Sequence, residues 1–351
     1  MTADAVSPAA RAFALSGALA LSACAAPPSG PPPHLVARTH LTMGTEVEVT
    51  AWTSDEARAQ AAFAAVFGEF DRLDALMSVW KEGSDILRLN AAAGERPVAV
   101  SAETIEVLQT ARQVSEWTGG RFDVTFAALS GLWKFDDQDK DGSVPDRREI
   151  ETRLPLVNFR DLEVDDRART AFLRRKGMRV NLGGIGKGYA VDRAADILRR
   201  SGVRDFMIQA GGDMYVGGTH GDRPWRVGIR DPRGAADRSF AMLDLTDRTF
   251  STSGDYERFF FKDGRRYHHL LDLSLGEPAR LCRSVTLVTD RAVIADALAK
   301  GVFILGPDAG MALIERTPGV QGVIVSAKNE VVVSSGLRGK LTLLAPPTDA
   351  P

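Results

Sequence analysis

The feature of this sequence that most constrains its fold is a glycine-rich turn, Asn181-Leu-Gly-Gly-Ile-Gly-Lys-Gly-Tyr-Ala-Val-Asp192. Glycine at this density lets a backbone turn tightly, or contact a neighbour that a side chain would displace. Before the turn, Met178, Val180 and Leu182 alternate with polar residues, which predicts a strand. After it, apolar residues recur at helical spacing, at Ala190, Val191, Ala194, Ala195, Ile197 and Leu198. A strand–turn–helix unit directs free backbone N–H groups at one point, which suits a phosphate.

The turn fits neither common phosphate-binding motif. A nucleotide P-loop needs glycine five residues before Gly186 and Ser or Thr after Lys187, where this chain has Asn181 and Gly188. The dinucleotide fingerprint is G-x-G-x-x-G, and Gly184, with the two glycines that alternate after it, gives G-x-G-x-G. Taken alone, the turn is equally consistent with a tight strand–helix connection that carries an exposed lysine.

Composition excludes several classes of protein. The chain has 351 residues, enough for one large core or two modest ones, and its 44% hydrophobic and 26% charged residues are typical of a globular protein. A net charge of −2 provides no basic field, so nucleic acid is excluded as a partner. Of the two cysteines, Cys24 and Cys282, the second has no intramolecular partner once the first is lipidated, so no disulfide is expected.

The N-terminus is typical of an export signal. An apolar run from Ala12 to Leu21 follows Arg11 and is too short to span a bilayer stably, as in a signal peptide. The residues Leu21-Ser-Ala-Cys24 resemble a bacterial lipoprotein processing site, which predicts cleavage before Cys24 and its lipidation. The alternative is an ordinary secretory signal cut near Ala26.

These features predict the organisation of the chain and its location. The predicted boundaries are a lipoprotein signal peptide at 1–23, a Pro-rich tether at 24–34, a folded domain at 35–345 and a tail at 346–351. The protein would then be lipid-anchored through Cys24 to a bacterial membrane, facing the periplasm or the cell exterior.

A series of short motifs follows the chain in order: Met43-Gly-Thr45, Met77-Ser-Val-Trp80, Ser84-Asp-Ile86, Leu89-Asn90, Gly120-Arg-Phe-Asp-Val-Thr125, Leu132-Trp133, the glycine turn, Gln209-Ala-Gly-Gly-Asp213, Trp225-Arg-Val-Gly-Ile-Arg-Asp-Pro232, Ser251-Thr-Ser-Gly-Asp-Tyr256, His268-His-Leu-Leu-Asp272 and Ala295-Asp-Ala-Leu298. In this order and spacing they resemble the ApbE family, the FAD:protein FMN transferases once called thiamine-biosynthesis lipoproteins, over residues 36–345. The resemblance implies transfer of FMN from FAD to a threonine or serine of an exported or membrane flavoprotein, with release of AMP and help from Mg²⁺.

The predicted elements give a fold class of α+β. We expect a strand from Leu35 to Val49, a helix at 55–76 with Ser54 as its N-cap, and a helix at 101–118 capped by Ser101. A helix at 290–306 and strands at 205–290 and 321–344 complete the pattern. Because strands and helices do not alternate strictly, we predict mixed sheets with packed helices, in two interleaved subdomains that form one catalytic unit.

The resemblance implies that His269, in an H-x-x-D pattern with Asp272, deprotonates the acceptor hydroxyl. Neighbours on a strand point to opposite faces, so only one of His268 and His269 can face the site. From the residues alone, a histidine bonded to backbone is the alternative.

For magnesium, the resemblance implies the Gly184 carbonyl and Asp296 as ligands. Lys300 lies one helical turn after Asp296, where the family usually has a threonine. Because an ammonium cannot ligate a cation, Lys300 either repels the ion or supplies part of its charge beside the phosphates. The alternative is a lysine on a solvated helix face.

The resemblance also implies a set of flavin-binding residues: Met43, Trp80, Arg121, Phe122, Asp123, Asn181, Lys187 and the backbone of Leu271. Asn181 replaces the usual aspartate, and Asp272-Leu-Ser-Leu-Gly276 departs from the usual Asp-Pro-x-Thr-Gly. These departures leave two rival functions open. One is a magnesium-dependent FAD pyrophosphatase, with water as the acceptor, and the other is a non-catalytic flavin-binding assembly protein.

An acidic segment is separate from the family pattern. Asp137-x-Asp139-x-Asp141-Gly142-x-Val144 matches the first eight positions of a calcium-binding loop, but its twelfth position is Arg148 instead of a glutamate. Calcium binding and a merely solvated loop are therefore both possible interpretations.

Overall fold

The fold is built around a large antiparallel sheet. The computed structural model describes Met1, residues 31–135 and residues 142–350. In chain order its elements are β1 (His34–Thr42), β2 (Thr45–Thr53), α1 (Glu56–Met77), α2 (Asp85–Ala91), β3 (Val98–Ala99), α3 (Ala102–Trp117), α4 (Arg147–Arg153), β4 (Leu162–Asp165), β5 (Thr170–Leu173), α5 (Gly186–Arg200), β6 (Phe206–Ala210), β7 (Asp213–Gly217), β8 (Trp225–Arg230), β9 (Ser239–Leu245), β10 (Arg248–Gly254), β11 (Phe259–Lys262), β12 (Arg265–His268), β13 (Leu271–Asp272), β14 (Glu277–Pro278), β15 (Cys282–Thr289), α6 (Ala292–Arg316), β16 (Gln321–Ser326), β17 (Val331–Val333) and β18 (Thr342–Leu343). Four short 3₁₀ helices also occur in the described residues, at Val124–Leu129, Leu154–Leu156, Phe159–Asp161 and Ser335–Leu337.

Within the described residues the main sheet has the strand order β1-β2-β6-β7-β10-β15-β16-β17, with every neighbouring pair antiparallel. Helices α1, α5 and α6 pack on one face. The small sheet β18-β9-β8 covers the other face of the main sheet, and the two sheets share a second hydrophobic core. In β15, Val285 and Leu287 contribute to the helix-side core and Val288 to the other, as the two-residue period of a strand requires. The predicted α+β class, with several sheets and packed helices, is confirmed.

Two predicted strands were wrong. The strand expected from Leu35 to Val49 is a hairpin, because Met43 and Gly44 both have positive φ, 49° and 70°, and turn β1 into β2. The segment Met178–Leu182, expected as a strand, pairs with no strand among the described residues. The side chain of Asn90 instead brackets Val180, accepting from its N–H at 2.7 Å and donating to its carbonyl at 2.9 Å.

Helix boundaries were predicted more closely. Ser101 caps α3 as expected, accepting from the Thr104 N–H. The cap of α1 is Asp55 instead of Ser54, and its side chain accepts from the Arg58 N–H. Helix α6 continues past its expected end at residue 306. It is interrupted there, because Gly306 has a φ of 85° and is followed by Pro307.

Length and composition alone would let α6 cross a bilayer, and it is the one helix in the described part of the chain that passes this test. It is mostly buried inside the fold, as the central helix of a domain is. The predicted signal peptide, most of the tether and Cys24 lie outside the described residues.

The predicted tail is held against the domain. Thr348 donates from its backbone N–H and its hydroxyl to the buried Asp231, and Asn329 donates to the Pro347 carbonyl. The described residues from Pro33 onward form one unit that includes this segment.

Candidate active site

The glycine turn is held by backbone contacts to its neighbours. Asn181 donates its N–H to the Val124 carbonyl at 3.0 Å, and its side-chain oxygen accepts from the Gly183 N–H at 2.7 Å. This local bond closes the turn just before α5 begins at Gly186. The amide of Asn181 therefore shapes the turn, a role that does not need the charge of an aspartate.

Helices α5 and α6 cap each other. Asp296 of α6 accepts from the Gly188 N–H at 2.9 Å, and Asp192 of α5 accepts from Ala292 and Val293 at 2.6 and 3.0 Å. A carboxylate at a helix N-terminus satisfies free N–H groups and interacts favourably with the helix dipole. Burial raises the pKa of Asp192 to about 6, against the effect of these two hydrogen bonds.

Gly188 permits the close approach on which this mutual capping depends. A Cβ at this position would lie 2.3 Å from the Ala292 carbonyl oxygen and 2.7 Å from the Asp296 Cβ. Gly188, the fourth glycine of the turn, is thus required by the packing of two helices, a role that the sequence did not indicate.

Four buried or partly buried charges meet at the start of α5. The Lys300 ammonium forms an ion pair with the fully buried Asp296, and Lys187 Nζ lies 3.2 Å from an oxygen of Asp213. Ser251 adds a hydroxyl bond to Asp213 at 2.5 Å. We call these four residues, Asp213, Asp296, Lys187 and Lys300, the charge cluster.

Within the cluster, Asp296 and Lys187 each favour the ionised form of the other. Burial would raise the pKa of Asp296, but the neighbouring Lys300 and Lys187 outweigh it and lower that pKa. Burial likewise opposes the charged form of Lys187, yet Asp296 and Asp213 raise its pKa. The pKa of Asp213 is raised by burial and by Asp296. Counted formally as two carboxylates and two ammonium groups, paired as Asp296–Lys300 and Asp213–Lys187, the cluster carries no net charge.

The adjacent histidines have different environments. His268 is buried, its Nε2 lies 2.8 Å from the Ala279 carbonyl oxygen, and its Nδ1 accepts from the Leu270 N–H at 3.3 Å. His269 donates its backbone N–H to the Arg258 carbonyl, but its Nδ1 is buried and has no hydrogen-bond partner among the described residues. His268 therefore has the structural role, and His269 keeps a ring nitrogen available for a ligand.

Burial, His268, Lys300 and Arg258 together lower the pKa of His269 to about 3. The imidazole is thus neutral near pH 7, the form that accepts a proton. An anionic ligand next to these cations would raise this pKa toward the working range, because it favours the imidazolium.

Arg258 is a site residue that the sequence reasoning missed. Its side chain is exposed, and its charge acts on both Lys187 and His269. It lies two residues after the Ser251–Tyr256 motif, and that proximity was the only signal in the sequence. With Arg258, the site carries one positive charge in excess of the neutral charge cluster, which suits an anion.

Several predicted flavin-binding residues reach this site. Phe122 packs beside the turn, since a Cβ on Gly184 would lie 3.4 Å from its ring and 3.2 Å from the Lys300 side chain. The hairpin of Met43 is also near, because a Cβ on Gly211 would lie 3.2 Å from the hydroxyl of Thr45 and 4.0 Å from Lys187 Cε.

Other predicted contacts have structural partners. Arg121 donates to Asp272 at 2.7 Å and to Ser274. These bonds connect the Asp272–Gly276 segment, whose sequence departs from the family pattern, to a predicted flavin-binding residue. Asp123 is buried and accepts from Thr125 and from the Phe159 N–H, and burial raises its pKa. Asp123 therefore organises the loop, and its contact with a ligand stays a prediction.

Trp80 is exposed and Leu271 is partly exposed. Trp80 follows α1 and is 89% exposed, so its ring is available to stack on a planar ligand. Leu271 begins β13 and pairs with Pro278, and it comes two residues after His269. Their contacts with a flavin stay predictions.

The predicted magnesium ligands do not fit that ion. One oxygen of Asp296 faces the Lys300 ammonium, and the other accepts from Gly188. Mg²⁺ needs near-octahedral oxygen coordination, and a second cation next to Lys300 would be repelled. Lys300 is also not on a solvated face, because its side chain is 18% exposed.

The calcium hypothesis falls largely outside the described residues, which omit 136–141. Beyond them, Asp146 caps α4 by accepting from the Arg148 N–H at 2.8 Å, so the twelfth position of the motif lies inside a helix. Within the described part of the chain, no group of three or more His, Cys, Asp or Glu side chains is placed to hold a metal.

Comparisons with known proteins identify the relatives of this chain. The model of the ApbE family matches residues 43–324. The FAD:protein FMN transferase of Klebsiella pneumoniae is 30% identical over 312 residues, covering 87% of this chain and 89% of that protein. The enzyme of the same name from Treponema pallidum is 31% identical over 325 residues, covering 88% and 89%.

Solved structures show the same fold. The ApbE protein of Thermotoga maritima superposes with a TM-score of 0.79 at 31% identity, covering 88% of this chain and 99% of that one. The flavin transferase ApbE of Vibrio cholerae also gives 0.79, at 27% identity and 88% and 100% coverage. On the family match and these relatives, the chain belongs to the ApbE family.

Proposed function

We propose that this protein is a FAD:protein FMN transferase. It takes FAD as substrate, attaches FMN through a phosphoester to a threonine or serine of an acceptor flavoprotein, and releases AMP. The observation that carries the proposal is His269, a neutral imidazole with an unpartnered buried nitrogen among the described residues, near the cations Lys300 and Arg258. The relatives that share most of this chain's length carry the same name.

The chemistry follows from the charges. The acceptor oxygen attacks the phosphorus on the FMN side of the diphosphate, and its proton passes to His269. The bond from that phosphorus to the bridging oxygen breaks, and AMP leaves with the electron pair. The cations of the site and the N-terminus of α5 favour the negative charge that develops on the phosphoryl oxygens.

Flavin binding by this chain would use the residues around the turn. Phe122 lines the turn, and Met43 and Trp80 offer partly or fully exposed side chains to the planar ring system. Arg121, next to Phe122 in the chain, binds Asp272 and so holds that segment close to these residues. No step here depends on magnesium, because both oxygens of Asp296, its predicted ligand, are bound to Lys300 and Gly188.

We also propose that the protein acts outside the cytoplasm, on an exported or membrane-bound acceptor. The Leu21–Cys24 processing pattern and the proline-rich tether support lipid anchoring of Cys24 at a membrane that faces the periplasm or cell exterior. An inhibitor of lipoprotein signal peptidase should leave the precursor uncleaved in expressing cells. Normal processing in the presence of the inhibitor would exclude the lipoprotein assignment.

The experiment for transfer uses mass spectrometry. The full chain in detergent is incubated with FAD, Mg²⁺ and a flavoprotein domain with an acceptor threonine, and the acceptor is weighed. A covalent FMN mass that is absent with His269→Ala supports the transferase. FMN release without acceptor would support a pyrophosphatase, and bound but intact FAD would support a flavin-binding protein.

A further inference from the structure

Lys300 occupies the position next to the turn where charge from a metal would be needed. Its ammonium donates to the carboxylate of Asp296 and to the Asp296 backbone carbonyl at 2.8 Å. An ammonium has three N–H groups, so one remains for a ligand beyond these two bonds. The aliphatic part of the Lys300 side chain passes close to Gly184, since a Cβ on Gly184 would lie 3.2 Å from Lys300 Cδ.

The charge balance of the site is already complete without a divalent ion. Asp213 and Asp296 are matched by Lys187 and Lys300; both carboxylates are buried, and both lysine side chains are partly buried. Adding a dication would leave two uncompensated positive charges next to the ammonium groups, at a large electrostatic cost. An incoming diphosphate, in contrast, would meet the free N–H of Lys300 and the exposed Arg258.

The oxygen ligands are also committed. The carboxylate of Asp296 caps α5 through Gly188 with one oxygen and binds Lys300 with the other. To ligate a metal, it would have to give up the ammonium and leave Lys300 partly buried without its counter-ion, which is strongly unfavourable.

We infer that Lys300 replaces the divalent cation in this protein, so that FMN transfer proceeds with a resident ammonium and no metal. The inference rests on the proposed function, and assigns Lys300 a catalytic role in it. When the acceptor oxygen attacks and the bond to the AMP oxygen breaks, Lys300 donates a hydrogen bond to a phosphoryl oxygen and offsets its charge. The proton of the acceptor passes to His269, as in the proposed step, and no oxidant or metal enters the balance.

Two measurements test this, with the full metal-stripped chain in detergent. The first is binding of Mn²⁺ alone, by calorimetry and by electron paramagnetic resonance. The second is FMN transfer to the acceptor domain, in EDTA and in Mg²⁺. The variants are Lys300→Met, which keeps length without charge, Lys300→Thr, which offers a hydroxyl and space, and the exposed Lys340→Thr as a control.

The wild type should bind no Mn²⁺ and transfer FMN at rates that agree within about twofold in EDTA and in Mg²⁺. Lys300→Met should lose transfer about 100-fold in both conditions, the usual cost of one electrostatic contact to a transition state. Lys300→Thr should lose transfer in EDTA, gain Mn²⁺ binding and recover activity with Mg²⁺. Lys340→Thr should match the wild type, and retained FAD binding shows that each variant folds.

The outcomes separate the two claims. Wild-type transfer that EDTA abolishes and Mg²⁺ restores, or wild-type Mn²⁺ binding at the site that Asp296→Asn removes, overturns the inference and leaves the transferase intact. Absence of transfer in every condition, with FAD bound, overturns the proposed function. In that case Mn²⁺ binding still decides whether Lys300 has displaced the metal.

Discussion

At the scale of single residues, the proposed chemistry depends on the difference between two adjacent histidines. Both ring nitrogens of His268 have backbone partners, whereas His269 Nδ1 has none in the described structure. The sequence indicated that only one of them could face the site, and only the family pattern selected His269. The alternation of side chains along a strand cannot decide which of the two histidines is buried, because that depends on Ala279, whose carbonyl oxygen is the partner of His268.

We expect His269→Ala to reduce FMN transfer by at least about 100-fold, because general base catalysis contributes 10²–10⁴. FAD affinity should change little, since the imidazole acts on the acceptor. The matched variant His268→Ala should instead lower the melting temperature, because it removes buried bonds to Ala279 and Leu270. Measured transfer rates and thermal melts of both variants distinguish the roles, and equal transfer by His269→Ala and wild type would contradict the assignment.

Arg258 gives a second prediction at this scale. Arg258→Gln should weaken FAD binding by about fivefold, or about 1 kcal/mol, because an exposed charge is partly screened by solvent. Arg258→Lys should retain most of the affinity, and the difference should shrink at high salt. Flavin fluorescence titrations measure each dissociation constant, with the exposed Arg112→Gln on α3 as a control. Equal loss in Arg112→Gln would show a nonspecific effect of charge.

At the scale of elements, the site exists because α5 and α6 begin at the same place. Each helix supplies the carboxylate that caps the other, and one of these carboxylates, Asp296, also pairs with Lys300. Lys187 and Lys300 thereby project toward one point from different helices. Burial of Asp296 thus serves both the packing and the chemistry.

Gly188→Ala tests this junction, since the added Cβ would lie 2.3 Å from the Ala292 carbonyl oxygen. Backbone cannot move aside as a flexible side chain can, so we expect a loss of about 3 kcal/mol in the free energy of unfolding. Gly68→Ala, in the open part of α1, should instead gain up to about 1 kcal/mol from helix propensity. Denaturant unfolding compares them, and a neutral Gly188→Ala would contradict the packing described.

The sequence predicted the helices better than the strands around the site. Ser101 and the capped start of α3 are local signals, so they were predictable. The extended segment at Val180 alternates like a strand, but Asn90, 90 residues away in the chain, takes the hydrogen bonds that a partner strand would form. Likewise, the proximity of Asp296 and Lys300 could be predicted from their spacing of one helical turn. The position of Arg258 near His269 depends on the tertiary structure and could not.

At the scale of the whole molecule, hydrogen bonds and an ion pair connect the C-terminal segment to β10, the strand that carries Ser251 of the candidate active site. Thr348 binds the buried Asp231, whose other partners include the backbone of Arg233. Arg233 in turn forms a two-point ion pair with Asp255 at 2.7 Å, directly after β10, the strand that carries Ser251. The segment predicted as a tail is therefore part of the folded unit.

Deleting residues 346–351 should lower the free energy of unfolding by about 2 kcal/mol at pH 7, because Asp231 loses the two hydrogen bonds that Thr348 donates. Burial opposes the ionised form of Asp231, but bonds from Arg233 and Thr348 outweigh it and lower its pKa. The stability that Asp231 contributes is thus present above the unfolded pKa of about 3.9 and is lost as pH falls through the lower folded value.

The loss caused by the deletion should therefore shrink below about pH 4, where protonation weakens the same bonds in the full chain. Thr348→Val, which keeps the backbone bond and removes the hydroxyl, should give about half of the effect. Asp349→Ala should give little, since its pair with Arg283 is 80% exposed on the carboxylate side. Urea unfolding of the three variants between pH 3 and 7 measures these differences, and a deletion without effect at pH 7 would return residues 346–351 to the status of a free tail.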